Sequence, residues 1–365
     1  MSKAAELANL IGNINMGGGG VNRNLVINGA MNVAQRGTSS TGLGASSGYF
    51  TCDRWAHNFS GTAGRLTSTQ DSSAPSGFAN SLKLDCTTAD TSIAAGEFLL
   101  LQHNFEGQNV QSFAKGTSDA KPFAVSFYVK GNASATYVCE LFDADNSRQI
   151  SKTFNVTTDW TRVELSFPAD TTGAFDDDNA QSLALVIWLH AGSTYSSGTL
   201  NSSAWASTTN ANRAAGISSF FDSTDRTFFI TGVQLEVGQN PTEFEHEPFE
   251  RTMAKARRYF FRQDDSDNSA CINAAGWTSG GAGYAYGAYF FDTIMRAKPT
   301  GSFSGNFLVL EGGSSSDSTE NLVNTTSTKS AELRFRSDSI VASGDGAWVR
   351  FKSGSGSYLQ FDSEL

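Results

Sequence analysis

The sequence predicts an all-β protein: an antiparallel jelly-roll sandwich followed by a smaller C-terminal β domain, with a short N-terminal helix and a linking helix. Three observations predict it. Apolar residues alternate with polar or small ones at period two in several runs, which puts one face of each run on a core. Gly, Asn, Asp and Ser clusters separate these runs, as turns between strands require. Composition agrees, with 27 Phe, 36 Gly and only 6 Pro in 365 residues. Aromatic side chains favour strands and glycine supplies turns.

The elements follow in order. Residues 3–14 read as a helix, because Leu7, Leu10 and Ile11 fall on one stripe at i, i+3, i+4. A helix this short is marginal alone in water, so it needs a partner: its own copies or a larger assembly. Gly17–Gly20 follow as a flexible linker, and residues 1–23 form one docking appendage. Residues 24–246 are the sandwich. There Phe123, Val125, Phe127 and Val129 alternate with Ala124, Ser126, Tyr128 and Lys130. Val163, Leu165 and Phe167 do the same, as do Leu183, Leu185, Ile187 and Leu189 against Ala184, Val186, Trp188 and His190. Phe229, Thr231, Val233, Leu235 and Val237 close the series. Residues 191–216, rich in Ser, Thr, Asn and Ala around Tyr195 and Trp205, break the rhythm; so long a loop is expected to be functional or disordered. Residues 247–260 read as the linking helix, with Phe249, Met253, Ala256 and Phe260 on one stripe and Lys255, Arg257 and Arg258 near the C-terminal end of its dipole. Residues 261–365 form the second β domain, where Leu333, Phe335, Trp348 and Arg350 mark short strands.

Charge and motifs narrow the function classes. The formal net charge is −10, from 26 Lys and Arg against 36 Asp and Glu. A phosphate-binding surface needs clustered cations, so no nucleic-acid partner is expected. No run of about 18 apolar residues occurs, so no membrane span is expected. The first ten residues lack the long apolar stretch of a signal peptide. Synthesis in the cytoplasm is the expectation, with release by lysis if the chain acts outside a cell. Cys52, Cys86, Cys139 and Cys271 form no C-x-x-C pair. They read as buried thiols, with a Cys52–Cys86 disulfide left open.

No catalytic residue and no cofactor is expected. The histidines, His57, His103, His190 and His246, are isolated in sequence, and neither a G-x-S-x-G nor an H-E-x-x-H motif occurs. His190 reads as an edge or core residue of its strand. Asp176, Asp177 and Asp178 read as a solvated acidic turn, since no EF-hand spacing surrounds them, and no metal site is expected. The candidate ligand-binding residues are Trp277, Tyr284 and Tyr286. Tyr284 and Tyr286 alternate and so project to one face, where flat rings could stack on sugars. The same rings could instead pack a small domain or a subunit interface.

Several short motifs occur in a fixed order. Asn24 to Gly37 reads Asn-Leu-Val-Ile-Asn-Gly-Ala-Met-Asn-Val-Ala-Gln-Arg-Gly. Asp53-Arg54-Trp55 follows, then Gly232 to His246, Gly-Val-Gln-Leu-Glu-Val-Gly-Gln-Asn-Pro-Thr-Glu-Phe-Glu-His. Lys255 to Phe260 comes next, with Ala256 and Arg257 where a Cys-Gln-Arg-Tyr-Tyr segment is usual. Met295-Arg296-Ala297-Lys298-Pro299-Thr300 and the ending Phe361 to Leu365 complete the set. Together they resemble a family of phage tail-fibre and virion structural proteins, from about residue 24 to 365.

The resemblance implies a jelly roll similar to carbohydrate-binding modules, a homotrimer, and a place in the virion as a tail fibre. It does not imply a sugar; the expectation that residues 1–20 hold a virion tail or capsid partner, and that the domain beyond residue 261 meets a host-surface glycan or receptor, comes from the helix, the linker and the aromatic run. The expected protein is therefore a non-catalytic attachment subunit. A virion structural or decoration protein without a receptor is the alternative, and a glycan depolymerase a third. Within the motifs, Asp53 and Arg54 are expected on opposite faces of one strand, with Glu236 a partner for Arg54. Gly29 and Gly232 are expected where backbones approach closely.

Overall fold

The structure, a computed structural model, describes residues 2–15, 22–265, 272, 276–279, 283–311, 314–338 and 346–365. The Gly17–Gly20 linker and Cys271 lie outside the described residues. The chain divides into two units, and it passes from one to the other between Thr252 and Met253.

The first unit opens with helix α1 (Lys3–Asn15). Two members of its apolar stripe, Leu7 and Ile11, are exposed. Its strands are β1 (Ser39–Leu43), β2 (Gly48–Tyr49), β3 (Ala56–Ser60), β4 (Arg65–Asp71), β5 (Ser81–Thr88), β6 (Phe98–Glu106) and β7 (Phe123–Gly131). Then come β8 (Ala135–Asp143), β9 (Arg148–Val156), β10 (Thr161–Phe167), β11 (Gln181–Ala191), the short helix α2 (Ser193–Ser196), β12 (Ala206–Ser207) and β13 (Thr227–Val237). One sheet has the order β1-β4-β5-β13-β7-β10, the other β12-β9-β8-β11-β6-β3-β2. The pairings are antiparallel. This is a jelly-roll sandwich.

The alternating residues do what their period demands. Phe123, Val125, Phe127 and Val129 of β7 and Leu183, Leu185, Ile187 and Leu189 of β11 all enter one core between the sheets. The other face of β11 is apolar too, and the long segment after it supplies the reason. Leu100, Val138, Ala184, Val186 and Trp188 form a second cluster on the outer face, packed under Tyr195, Leu200 and Ala214. Residues 191–216, expected to be a functional or disordered loop, are therefore a cover for that face. Glu140 pins it: the buried carboxylate takes two bonds from Arg213, each 2.9 Å, and one from the Trp188 indole at 2.8 Å.

The motif residues hold the strand ends together. Asp53 and Arg54 lie in a buried turn before β3, not on a strand, and Arg54 is left-handed at φ +72°. Arg54 donates to the Asn104 carbonyl at 2.7 Å. Glu236, the expected partner of Arg54, instead accepts from the Thr242 amide and hydroxyl and sits 3.7 Å from Arg23. A turn does not alternate faces, which is why strand logic misassigned this pair. Of the two glycines, Gly29 meets a backbone as expected, whereas Gly232 is required by its left-handed conformation and by side chains. A Cβ on Gly29 would stand 2.1 Å from the Val233 oxygen. Gly232 is left-handed at φ +61° in an irregular stretch of β13, against Phe78 and Tyr128. Cys52 and Cys86 are free buried thiols, so the disulfide left open by the sequence is not formed.

Helix α3 (Phe249–Arg257) is shorter than expected. Phe260 belongs to the next strand, and Phe249 is exposed while Ala256 is buried. The second unit contains β14 (Phe260–Asp264), β15 (Gly276–Ser279), β16 (Tyr284–Phe290), β17 (Thr300–Ser304) and β18 (Phe307–Glu311). It continues with β19 (Ser314–Asp317), β20 (Glu320–Thr326), β21 (Ser330–Arg336), β22 (Gly346–Phe351) and β23 (Tyr358–Asp362). A three-stranded sheet, β14-β23-β17, and a seven-stranded sheet, β19-β18-β22-β15-β16-β21-β20, supply a core around Phe307, Leu333, Phe335, Phe351 and Phe361. Arg296 clasps the chain end, donating to the carbonyls of Ser363 at 2.7 Å and Glu364 at 3.0 Å. Among the described residues, no helix is long and apolar enough to cross a membrane.

Candidate functional site

The seven-stranded sheet buries one face and leaves the other open. On β16, Ala285 and Tyr289 are buried, while Tyr284 and Tyr286 are half-buried and Phe290 is exposed. Register carries the open row across four strand pairs. Gly346 of β22 faces Trp277 of β15, which faces Tyr286, then Arg334 of β21, then Leu322 of β20. Two of the predicted residues, Trp277 and Tyr286, are thus cross-strand neighbours in backbone register, and Tyr284 is two residues along. The side chain of Trp277 lies outside the described residues.

The two tyrosines do not offer bare rings. They tilt towards each other at 6.2 Å. The Arg334 guanidinium lies over both, 4.7 Å from the Tyr284 centroid and 5.5 Å from that of Tyr286. The Tyr284 hydroxyl donates to Glu320 at 2.5 Å. A cation over a ring face is a favourable contact, and it fixes both partners. The face therefore presents an aromatic–arginine lattice rather than a flat platform. Sequence reasoning missed its most open member, Trp348 of β22, which is 67% exposed. Period two could have found it, since Trp348 alternates with the buried Ala347 and Val349.

On the second sheet of the first unit, residues 191–216 cover the outer face of β11 and of its neighbours β6 and β8. Three of the unit's histidines, His57, His103 and His190, are buried, and His246 is exposed. His57 Nε2 and Ser68 Oγ are 3.0 Å apart, but both residues are fully buried. Among the described residues, no side chain bonds His57 Nδ1. Burial pushes His57 down to about 4 and holds His103 well below its usual value, with Arg54 adding to the effect. Both imidazoles are therefore neutral near pH 7. Asp176, Asp177 and Asp178 are exposed in a turn, as a solvated acidic cluster should be.

His190 is buried, as a core residue should be, but on the other face of its strand. Strict alternation along β11 puts it on the outer face with Trp188. The pairing with β6 slips between Trp188 and His190, so that His190 faces Leu99, a residue of the inner core. A bulge re-aims the side chain. Turned inward, His190 meets Asp90 and Glu97, and the ligand atoms of the three lie within 4.8 Å of one another. The sequence predicted no metal ligands, yet this set has the composition of a metal site.

No family model and no curated protein matches the chain. Solved structures do show similarity over a little more than half of it. A CBM4 carbohydrate-binding module is 10% identical with a TM-score of 0.30, covering 58% of this chain and 99% of its own. The enzymatically active domain of tailspike protein 4 from bacteriophage CBA120 is 10% identical with a TM-score of 0.30, covering 59% of this chain and 21% of that one. A family 11 carbohydrate-binding module from Clostridium thermocellum, in complex with a β-1,3-1,4-mixed-linked tetrasaccharide, is 11% identical with a TM-score of 0.27, covering 57% of this chain and 98% of its own.

Proposed function

We propose that the chain is a non-catalytic phage tail-fibre subunit, assembled as a trimer. In this reading it attaches the virion to a host-surface glycan through the open face of its second unit. The observation that supports it most directly is the row of Tyr284, Tyr286 and Arg334, with Trp348 exposed on the same face. Aromatic side chains pack against the apolar faces of sugar rings. Arginine forks hold carboxylates bidentately, so Arg334 and Arg350 favour an acidic sugar, while Arg336 already pairs with Asp338 at 2.9 Å. The ordered motifs from Asn24 to Leu365 support the tail-fibre assignment. The exposed stripe of Leu7 and Ile11 suits α1 as the element that docks to the virion.

The test is binding of the full chain to an array of host-surface glycans, neutral and acidic, and to intact host cells. Tyr286→Ala, Arg334→Gln and Trp348→Ala should each weaken binding about tenfold or more, since a stacked aromatic or a charged bond contributes ~1–3 kcal/mol. Deleting residues 1–20 should abolish incorporation into virions without loss of solubility.

A second reading keeps the chain in the virion but gives it no receptor. Phe290 and Trp348, 65% and 67% exposed, favour it, because another protein surface could cover them. Binding of the intact chain to no glycan and no host cell, with virions still assembled from it, would decide for that reading.

A further inference from the structure

We propose that Asp90, Glu97 and His190 bind one divalent transition-metal cation of the zinc class, which clamps the loop before β6 to the end of β11.

Asp90 and Glu97 bound one short loop, His190 lies about 100 positions further along the chain, and the fold converges them. Glu97 immediately precedes β6, Asp90 begins the loop that leads to it, and His190 is turned inward by the irregularity in β11. Their relative exposures are 5%, 6% and 0% for Asp90, Glu97 and His190. Two buried carboxylates face a buried imidazole, and among the described residues no Lys or Arg forms an ion pair with either acid. Such a set is costly unless a cation or a good hydrogen bond compensates it.

The contacts show that hydrogen bonding leaves the set incomplete. Glu97 Oε2 and His190 Nε2 are both buried with no hydrogen-bond partner. They stand 3.5 Å apart, beyond the 2.7–3.2 Å of an ordinary N–H···O bond. The remaining atoms are well held. His190 Nδ1 is 2.8 Å from Ser219 Oγ. When that nitrogen carries the proton, Nε2 is bare and its lone pair points at the carboxylates. Asp90 Oδ2 accepts from the Thr62 hydroxyl at 2.9 Å and the Ala63 amide at 2.7 Å. Ligating imidazoles and carboxylates are oriented in this way by a second layer of bonds.

The donor set selects the ion. Calcium and magnesium take oxygen ligands, whereas one imidazole and two carboxylates suit zinc and its first-row neighbours. Bond lengths of about 2.0–2.2 Å put neighbouring ligand atoms ~3–4 Å apart, so closing the set asks for about an ångström of side-chain movement. The loop gives the cation something to do. Residues 91–96 are exposed, and their local anchors to the strand end are main-chain bonds, Gly192 N to the Glu97 oxygen and Thr194 N to the Ala95 oxygen, 2.8 and 2.9 Å. A cation at Asp90, Glu97 and His190 would fasten both ends of that loop.

The experiment uses the full chain, stripped with chelator and titrated calorimetrically with zinc, manganese and calcium chlorides. One equivalent of zinc should bind, raise the melting temperature, and bind at least about 100-fold more weakly to His190→Gln and Glu97→Gln. Ser219→Ala, which removes only the orienting bond, should weaken it about 10–100-fold. Should His190→Gln not fold, cobalt-loaded wild-type protein still reports the ligand, through a paramagnetically shifted, exchangeable imidazole N–H resonance. Absence of stoichiometric zinc binding, equal binding by the folded variants, or preference for calcium would overturn the proposal.

Discussion

The carboxamide of Asn28 donates to the main-chain oxygen of Asp53 at 3.0 Å and to that of Val33 at 2.8 Å, while its own oxygen takes the Val33 amide at 2.9 Å. Trp55 adds a bond from its indole to the Asn28 carbonyl. Two motifs that are about 20 residues apart in sequence are thereby one buried knot. The third joins it through Asn24, whose side chain bonds the main chain of Val233 and Leu235 in β13. The motifs that carry the tail-fibre resemblance are thus scaffold, and the candidate binding residues lie elsewhere.

Asn28→Ala should consequently destabilise the sandwich without touching the open face of the second unit. Three buried bonds are lost, and the Val33 amide is left without that partner. Unsatisfied buried groups cost ~1–3 kcal/mol each, so a loss of about 2–4 kcal/mol is expected. The measurement is the urea midpoint of the first unfolding transition. An unchanged midpoint would mean that the knot is dispensable.

Arg213→Ala should loosen residues 191–216 before the sandwich unfolds. Glu140 would remain buried, keeping the bond from the Trp188 indole but losing both from the guanidinium. Breaking a buried pair costs roughly 3–5 kcal/mol, and the partial exposure of Arg213 reduces this to about 2–4 kcal/mol. Amide exchange should accelerate across 191–216 while β6 and β8 stay protected. Uniform acceleration through the whole unit would refute the view of this segment as a separable cover.

Stability of the first unit should fall as pH drops below about 6.5. His57 is a base that burial lowers from 6.5 to about 4. The unfolded chain therefore binds the proton first, and stability is complete above 6.5 and drains between 6.5 and about 4. For this group the loss amounts to about 3 kcal/mol. His103, lowered by burial and by Arg54, acts in the same direction. Denaturation midpoints in a series from about pH 7.5 to 4.5 give the slope, and His57→Gln should flatten it. A slope identical in wild type and variant would exclude His57 as its source.

Tyr284→Phe isolates the polar anchor of the open face. It removes the bond to Glu320 and leaves both rings under Arg334. Stability should change by less than ~1 kcal/mol, since the bond is partly exposed. Glycan affinity should drop less than in Tyr286→Ala. An equal drop would assign recognition to the Tyr284 hydroxyl rather than to the ring.

The strands that alternate cleanly, β7, β10 and the body of β11, were legible in the sequence because a one-sided core imposes period two locally. The projection of Tyr284 and Tyr286 to one face was legible for the same reason. The turn at Asp53 and Arg54 was misread as strand, since a left-handed residue at position 54 leaves no periodic trace.

What the sequence by itself determined is therefore the β class, the alternating faces and the motif order, all set by interactions within a few residues. Tertiary structure alone decided three things. It covered the outer face of β11 with residues 191–216, because that face is apolar and needs a lid. It placed Arg334 over the two tyrosines and Trp348 on their face, through register between strands distant in sequence. It also shifted the register near the end of β11 and so turned His190 towards Asp90 and Glu97. Register and bulges depend on which strands pair, and pairing is a property of the folded chain.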